Sequence, residues 1–227
     1  MHTEKIEKLS QFITPQRLSR FQQVLSNRSR HLTIILEDIY DPHNGSACLR
    51  SCEACGVQEV HIIEERHQFT ATDTVAMGSA RWLDLTHYTS NLNSNLPSTQ
   101  KCYHDLKNRG YTIVAMTPHP DQAKSVEFHQ LPLTKPIALA FGSEKEGLTA
   151  TALDLADIHT RLPIYGFVES YNISVACAIS VFQLTDRIRN GLPENQWQLD
   201  TNDYQSTLLK WLRSDIRNID QIEQQLS

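Results

Sequence analysis

The side chains best suited to chemistry lie in three turn-forming segments: Asn44–Arg50 (NGSACLR), Phe141–Leu148 (FGSEKEGL) and Leu162–Ala176 (LPIYGFVESYNISVA). Each segment directly follows an apolar, strand-like run. Open α/β sheets bind their ligands beyond the carboxyl ends of parallel strands, so we expect the three segments to meet at one sheet edge. A guanidinium, a carboxylate and several amides would then face one site, a set that suits anion binding and stabilisation of negative charge on oxygen.

The second and third segments are also suited to grip a flat ligand. Gly142 and Gly147 permit a tight reversal and a close approach of the backbone to a ligand such as adenine. Pro163, Gly166 and several short polar side chains lie just ahead of an apolar helix, whose first N–H groups are free to donate. Each segment alone reads equally well as an ordinary capped loop, so the prediction depends on the three together.

The pattern of apolar residues predicts an α/β fold. Strand-like runs alternate with helical patterns, which favours a mostly parallel sheet with helices on both faces. The predicted strands are 33–39, 59–64, 82–88, 111–117 and 137–141, and the predicted helices are 44–55, 100–109, 149–156 and 173–189. The last of these helices is apolar on nearly every side, so we expect it to be buried, in part across a subunit interface.

Both ends of the chain read as helical extensions, which divides the sequence into segments 1–31, 32–190 and 191–227. Residues 1–31 carry six basic and two acidic side chains, a net charge of +4, whereas the rest of the chain carries 15 basic and 24 acidic ones. A basic arm on an acidic body suits RNA phosphates, although a solvated pair of amphipathic helices explains the charge as well. The candidate phosphate ligands are Arg17, Arg20, Arg28 and Arg30.

The composition indicates a globular protein of the cytoplasm. The 227 residues are 40% hydrophobic, enough for a sizeable core, and no apolar run is long enough to cross a membrane. Three of the five cysteines are crowded into residues 48–55, which suits a reducing compartment better than a disulfide framework.

The three segments, in this order, resemble the motifs of the SPOUT methyltransferases, and within them the TrmH (SpoU) branch of RNA ribose 2′-O-methyltransferases. The resemblance spans residues 32–190, and the third motif is its most specific part. It implies S-adenosyl-L-methionine as cofactor, a trefoil knot in the C-terminal part of the sheet, and a homodimer whose active sites draw on both subunits. The helical extensions make the chain most similar to the subgroup that methylates guanosine 18 in the D-loop of tRNA. A ribosomal RNA methyltransferase and an inactive RNA-binding protein are the alternatives.

The resemblance also assigns roles to individual residues. It makes Arg50 the catalytic arginine and Asn44 its positioning neighbour, with Glu144, Ser170 and Asn172 orienting the arginine, the ribose or the cofactor. The residues that it implies for cofactor binding are Gly142, Leu162, Tyr171 and Thr117. Because a guanidinium is effectively always protonated, we expect Arg50 to bind the substrate phosphate and to stabilise the developing alkoxide.

A competing motif lies inside the first segment. Cys48, Cys52 and Cys55 have the CxxxCxxC spacing by which radical S-adenosylmethionine enzymes hold an iron–sulfur cluster. The same three positions share one face of a helix, where cysteine serves as a small buried hydrophobic residue, and Ala54 stands where that superfamily usually has an aromatic residue. We therefore predict a packing role and no metal, the more so because no pair of histidines has the spacing of a zinc site.

Overall fold

The computed structural model of the chain describes residues 2–89 and 96–226. The strands are β1 (Leu32–Glu37), β2 (Glu59–Glu64), β3 (Asp84–Thr89), β4 (Thr112–Met116), β5 (Ile137–Phe141) and β6 (Ile158–Thr160). The helices are α1 (His2–Ser10), α2 (Pro15–Leu25), α3 (Pro42–Cys55), α4 (Asp73–Ala76), α5 (Ser98–Asn108), α6 (Ala150–Leu155), α7 (Ile173–Gly191), α8 (Glu194–Trp197), α9 (Thr201–Asp215) and α10 (Ile219–Leu226). Short 3-10 turns lie at Ser79–Trp82 and Phe128–Gln130.

The six strands form one sheet in the order β3-β2-β1-β5-β4-β6, and every pairing within it is parallel. The predicted α/β class with a mostly parallel sheet is therefore confirmed. The pairing also shows how the site is assembled, because Leu36 near the end of β1 pairs with both Ile62 of β2 and Phe141 of β5. The loops after these strands consequently open at the same edge of the sheet.

Apolar side chains bury both faces of the sheet. Ile35, Ile113 and Ala140 belong to a buried cluster that also contains Tyr103 of α5 and Ala152 of α6. Successive strand residues point to opposite faces, so Ile34 and Leu36 point away from that cluster, and both are fully buried as well. Burial on both sides explains the nearly continuous apolar runs that the sequence shows in β1 and β5.

Helix α7 is buried on one side in the single chain. It packs against α3 and buries Cys177, Val181 and Leu184, but Val175 and Phe182 are 45% and 66% exposed. Burial of the other side across a subunit interface stays a prediction. The exposed residues lie seven positions apart, on the side of the helix that faces away from the core.

The two ends of the chain pack together into a compact unit that is separate from the unit formed by residues 30–192. Thr14 caps α2 as its Oγ1 accepts a hydrogen bond from the Arg17 N–H at 3.2 Å, as the Thr-Pro sequence predicts. Helix α9 packs on α1 and α2, with Phe21 and Trp211 edge to face at 5.7 Å between ring centroids. No helix within the described ranges has the length and apolar character needed to span a bilayer.

Candidate active site

A cavity of about 450 Å³ opens beyond the carboxyl ends of β4, β5 and β6. Its walls come from the loops that follow these three strands and from the start of α7. The four residues predicted to bind a cofactor, Thr117, Gly142, Leu162 and Tyr171, all line it. Two predicted catalytic residues, Glu144 and Ser170, line it too, so the second and third motifs share one cavity although they are apart in the sequence.

The loop after β5 closes on itself as a tight turn. Ser143 and Gly147 exchange backbone hydrogen bonds of 3.1 and 2.9 Å, and Gly147 has a φ of +69°, which favours glycine. Gly142 is needed for a different reason: a Cβ atom there would lie 2.0 Å from the Gly147 carbonyl carbon and 2.1 Å from the Leu148 nitrogen. The backbone passes so close to itself that no larger side chain fits the cavity wall.

A chain of hydrogen-bonded side chains runs from this loop to the start of α7. Asn44 Nδ2 donates to Glu144 Oε1 at 2.8 Å, and Asn172 Nδ2 donates to Asn44 Oδ1 at 3.2 Å. Asn172 Oδ1 in turn caps α7, because it accepts from the Ser174 N–H at 2.9 Å and from the Ser174 hydroxyl at 2.6 Å. Four predicted or neighbouring residues from the three segments therefore form one polar network at the cavity.

The donor and acceptor directions along this network are fixed from both ends. The Glu144 oxygen accepts from Asn44, so Asn44 turns its NH₂ group to Glu144 and its oxygen to Asn172. The Ser174 N–H donates only, so Asn172 must turn its oxygen to α7 and its NH₂ group to Asn44. Both requirements agree with the arrangement observed. The network leaves the other Glu144 oxygen, Oε2, to accept the Tyr40 N–H at 3.3 Å.

The buried carboxylate of Glu37, at the end of β1, holds the last residue of the loop that follows β5. Glu37 Oε2 accepts from the Thr149 N–H at 2.9 Å, and Oε1 accepts from the hydroxyls of Thr149 and Thr99 at 3.0 and 2.6 Å. Thr149 ends the loop that begins at Gly142 and is the N-cap of α6. Glu37 thus ties β1, α5 and α6 to the turn that shapes the cavity.

The next residue, Asp38, fixes the loops after β1 and β2. Its backbone has a φ of +51°, an uncommon conformation for a residue other than glycine. Its carboxylate accepts from the N–H groups of Glu65 and Arg66 at 2.8 and 2.9 Å. Burial opposes ionisation of Asp38, but the hydrogen bonds from Arg66 and Glu65 outweigh it and lower the pKa of the carboxyl. Arg66 also pairs with Glu146, which connects this corner to the cavity loop.

Three predicted catalytic residues do not line the cavity: Asn44 and Asn172 reach it through their hydrogen bonds to Glu144 and to each other, whereas Arg50 does not reach it in its own chain. Arg50 lies on the exposed side of α3 and is not among the lining residues. Conversely, Arg161 and Glu169 line the cavity although sequence reasoning passed over them. Their positions directly beside Leu162 and Ser170 were the signal that could have found them.

The four arginines predicted to bind phosphate have different environments. Arg20 is exposed and donates to Gln23 at 2.9 Å, whereas Arg17 pairs with Asp215 at 2.8 Å. Arg30 pairs with Asp84 at 2.6 Å and with Glu59 at 3.3 Å. Arg28 is only 1% exposed, with its guanidinium 5.4 Å from the centre of the Trp211 ring. A side chain buried to this degree is not available to a phosphate, so Arg28 does not fit its predicted role.

Two of the three cysteines of α3 pack inside the core. Cys48 and Cys52 are fully buried, as predicted for small apolar side chains, whereas Cys55 is half-buried, and all five cysteines are free. A hydrogen bond with Cys177 and burial raise the pKa of the Cys48 thiol well above its ordinary value. Within residues 2–89 and 96–226, no group of three histidine, cysteine or acidic side chains could hold a metal ion.

An open parallel sheet with a loop-walled cavity beyond its strand ends defines an α/β protein of the kind that binds a small ligand at that edge. The chain belongs to the SpoU rRNA methylase family, whose sequence model matches residues 31–182. The resemblance to the TrmH (SpoU) branch is thereby confirmed.

Individual relatives agree with this membership. A tRNA (guanosine(18)-2′-O)-methyltransferase of Borreliella burgdorferi is 35% identical over 220 residues, which cover 97% of this chain and 95% of the relative. The crystal structure of the A. aeolicus TrmH/SpoU tRNA modifying enzyme has a TM-score of 0.74 and 27% identity, and the match covers 88% of this chain and 97% of that one. The methyltransferase AviRb from Streptomyces viridochromogenes, in complex with AdoMet, shares the fold at a TM-score of 0.59 and 18% identity, over 75% of this chain and 62% of that one.

Proposed function

We propose that this protein transfers a methyl group from S-adenosyl-L-methionine to the 2′-hydroxyl of guanosine 18 in the D-loop of tRNA. The observation that carries the proposal is that the second and third motifs line one cavity and that Asn44 of the first motif is hydrogen-bonded to both of them, through Glu144 and Asn172. A relative with that activity matches the chain almost from end to end.

The cavity suits this cofactor. Leu148, Leu162 and Ile173 supply apolar walls for an adenine ring, and the tight turn at Gly142 brings the backbone close enough to bond its edge. Arg161 at the same cavity matches the carboxylate of the methionyl part. When bound, the cofactor supplies an electrophilic methyl group on a sulfonium.

The residues of the chain supply position and charge. Asn44, Glu144 and Asn172 form a rigid polar network that orients the ribose toward the cavity. Holding two reactants in attack geometry can contribute on the order of 7–11 kcal/mol to a rate. Arg50 binds the neighbouring phosphate and stabilises the oxygen as its proton leaves to that phosphate or to water. Ser170 lines the cavity beside this network and helps to orient the reactants.

A homodimer completes the site. Val175 and Phe182 stand exposed on α7, with Ala178 and Ile179 half-buried between them, which makes a continuous apolar stripe. A second copy of the chain covers this stripe in the proposal. Phe182→Asp should then shift sedimentation from dimer to monomer, whereas Gln183→Asp at the next, exposed position should not.

In the proposed dimer, Arg50 of one subunit serves the cavity of the other, which explains why Arg50 is absent from the cavity of its own chain. Mixed dimers test this arrangement. Arg50→Ala and Glu144→Gln should each be inactive. A mixed dimer of the two still combines an intact Glu144 cavity with an intact Arg50 from the partner, so mixing should restore activity. If Arg50 acts in its own subunit, both cavities of the mixed dimer are defective and activity stays absent.

The unit formed by the chain ends is the proposed tRNA-binding extension, and Arg20 is the exposed one of the four candidate arginines. Arg20→Ala should weaken tRNA binding and reduce the salt slope by about one, because one phosphate contact is lost. Gln23→Ala removes the hydrogen-bond partner of Arg20 without changing the charge and is the matched control.

Membership of the SpoU family supports a trefoil knot in the C-terminal part of the sheet, which the resemblance to that family implies. Five free thiols support a cytoplasmic location.

The experiment that tests the proposed function uses isotopically labelled cofactor and total RNA from cells. Digestion and mapping should place the label on a 2′-O-methylguanosine at position 18 of tRNA. Label in ribosomal RNA would assign the other substrate class, and RNA binding without any transfer would make the protein an inactive binder.

A further inference from the structure

An exposed aromatic ring lies beside the polar network. Tyr40 follows β1 by three positions, and 58% of its side chain is exposed although two neighbours contact it. The Lys145 Nζ atom lies 4.8 Å from the centre of the Tyr40 ring, and the His67 ring stands at 84° to it with 5.2 Å between the ring centres. A large share of an aromatic surface is thus left open at the edge of the cavity.

The backbone connects this ring directly to the proposed ribose site. The Tyr40 N–H donates to Glu144 Oε2 at 3.3 Å, while the other oxygen of the same carboxylate accepts from Asn44. Lys145, which contacts the ring, is itself a lining residue of the cavity. A nucleotide whose ribose faces Glu144 therefore has its base within reach of Tyr40.

The backbone on both sides of Tyr40 is held by hydrogen bonds. Asp38, two residues earlier, is buried and accepts backbone hydrogen bonds from the loop that contains His67. Asp41, one residue later, caps α3 by accepting the His43 N–H at 2.9 Å. The backbone that carries the ring is consequently ordered before a ligand arrives, which lowers the entropy that this segment loses on binding.

Lys145 adds a positive charge at the same place. The described part of the chain gives it no acidic partner, and its observed contact is the Tyr40 ring. An ammonium in this setting can exchange the ring for a phosphate oxygen when RNA binds.

We propose that Tyr40 is the stacking platform for the base of the methylated nucleotide, and that Lys145 binds the phosphate next to it. The ligand class is a purine nucleotide within RNA that is unstacked from its neighbours, as proteins commonly read RNA loops. This inference rests on the proposed function, because it takes Glu144 to face the ribose. It adds a residue that recognises the base to residues that orient the ribose and the cofactor.

The test compares Tyr40→Ala and Tyr40→Phe with the wild type. Base stacking on an aromatic ring is typically worth enough for Tyr40→Ala to raise the KM for tRNA about 10-fold or more, while Tyr40→Phe keeps the ring and stays near wild type. Affinity for S-adenosyl-L-methionine, measured by calorimetry, should change little in either variant because the Tyr40 backbone N–H remains. Trp82→Ala is the control. It removes a similar cation–π pair, in which Arg81 lies 4.7 Å from the ring centre, but Trp82 lies just before β3 at the opposite edge of the sheet, so the KM for tRNA should stay near that of the wild type.

A fluorescent probe separates stacking from a structural role. A tRNA with 2-aminopurine at the target position should be quenched on binding to wild type and Tyr40→Phe, and much less on binding to Tyr40→Ala. Equal quenching and an unchanged KM in Tyr40→Ala would overturn the proposal. So would dissociation of the Tyr40→Ala dimer during sedimentation, since the ring would then belong to a subunit interface. A wild-type protein that methylates no RNA would refute the proposed function instead.

Discussion

Replacement of Gly142 by alanine tests whether the turn after β5 is the cofactor wall. The added Cβ would lie 2.0 Å from the Gly147 carbonyl carbon, whereas ordinary contacts begin at 3.4 Å. The loop would have to move by more than 1 Å, and its atoms are backbone, which cannot rotate away as a flexible side chain can. The alanine therefore forces the turn open instead of being absorbed by its neighbours.

The expected loss of binding free energy follows from the contacts that are lost when the turn opens. Overpacking of this kind costs about 1–3 kcal/mol, and each lost hydrogen bond between Ser143 and Gly147 costs about 1 kcal/mol. A total of about 3 kcal/mol, if it falls on the bound state, corresponds to roughly 100-fold weaker cofactor binding.

The assay is calorimetric titration of S-adenosyl-L-methionine into Gly142→Ala, with thermal unfolding measured alongside. Gly191→Ala is the control, because a Cβ at that position at the end of α7 meets nothing within 4 Å. Wild-type affinity and an unchanged melting temperature in Gly142→Ala would refute the reasoning. The turn would then be neither tight nor part of the cofactor site.

Four further substitutions test other contacts. Asn172→Asp keeps the cap on Ser174 but cannot donate to Asn44, so stability should hold while methyl transfer falls at least 10-fold; equal activity would contradict the role of the network. Glu37→Gln replaces one acceptor oxygen of a buried carboxylate by a donor, so it should weaken cofactor binding in calorimetry and lower the melting temperature. No change in either would contradict the role of Glu37 in holding the cavity loop. Arg28→Ala should lower the melting temperature by several degrees, because it empties a buried site beside Trp211, whereas Arg20→Ala should leave it unchanged. Burial opposes ionisation of Glu59, but His61 and Arg109 outweigh it and hold the pKa of that carboxyl well below its ordinary value. Its stabilisation is therefore complete above the unfolded pKa of about 4.3 and is lost progressively as the pH falls from there through the folded pKa. Glu59→Gln should accordingly cost about 3 kcal/mol in urea unfolding at pH 7 and less at pH 3, and an equal loss at both would contradict the ion pairing.

Strong apolar patterns made most of the fold predictable. The bounds of β2 and β5 match their predictions, and the order of strands and helices indicated the parallel sheet. Strand β6 was missed because its three residues are too few to show a period. Which side of α7 is open in the single chain was not predictable, because an apolar residue looks the same in the sequence whether it faces the core or the surface.

For the site, the sequence predicted that the motifs meet at one edge of the sheet, but not which side chains of each motif face the cavity. The hydrogen bond between Asn44 and Asn172 joins residues 128 positions apart. Their closeness was predictable because both lie in motifs that follow strand ends. The burial of Arg28 depends on Trp211, on a helix that lies far along the chain, which charge counting could not show. The absence of Arg50 from the cavity of its own chain could not be predicted either. Residue spacing along α3 shows which residues are neighbours on the helix, but not which cavity they face.

The account is tested most directly by methyl transfer to two tRNAs that differ by a single oxygen atom. One carries guanosine at position 18, and the other carries 2′-deoxyguanosine there. We predict stoichiometric transfer from S-adenosyl-L-methionine to the first tRNA and none to the second. Equal transfer to both, or none to either, would contradict the claim that this cavity delivers a methyl group to that ribose oxygen.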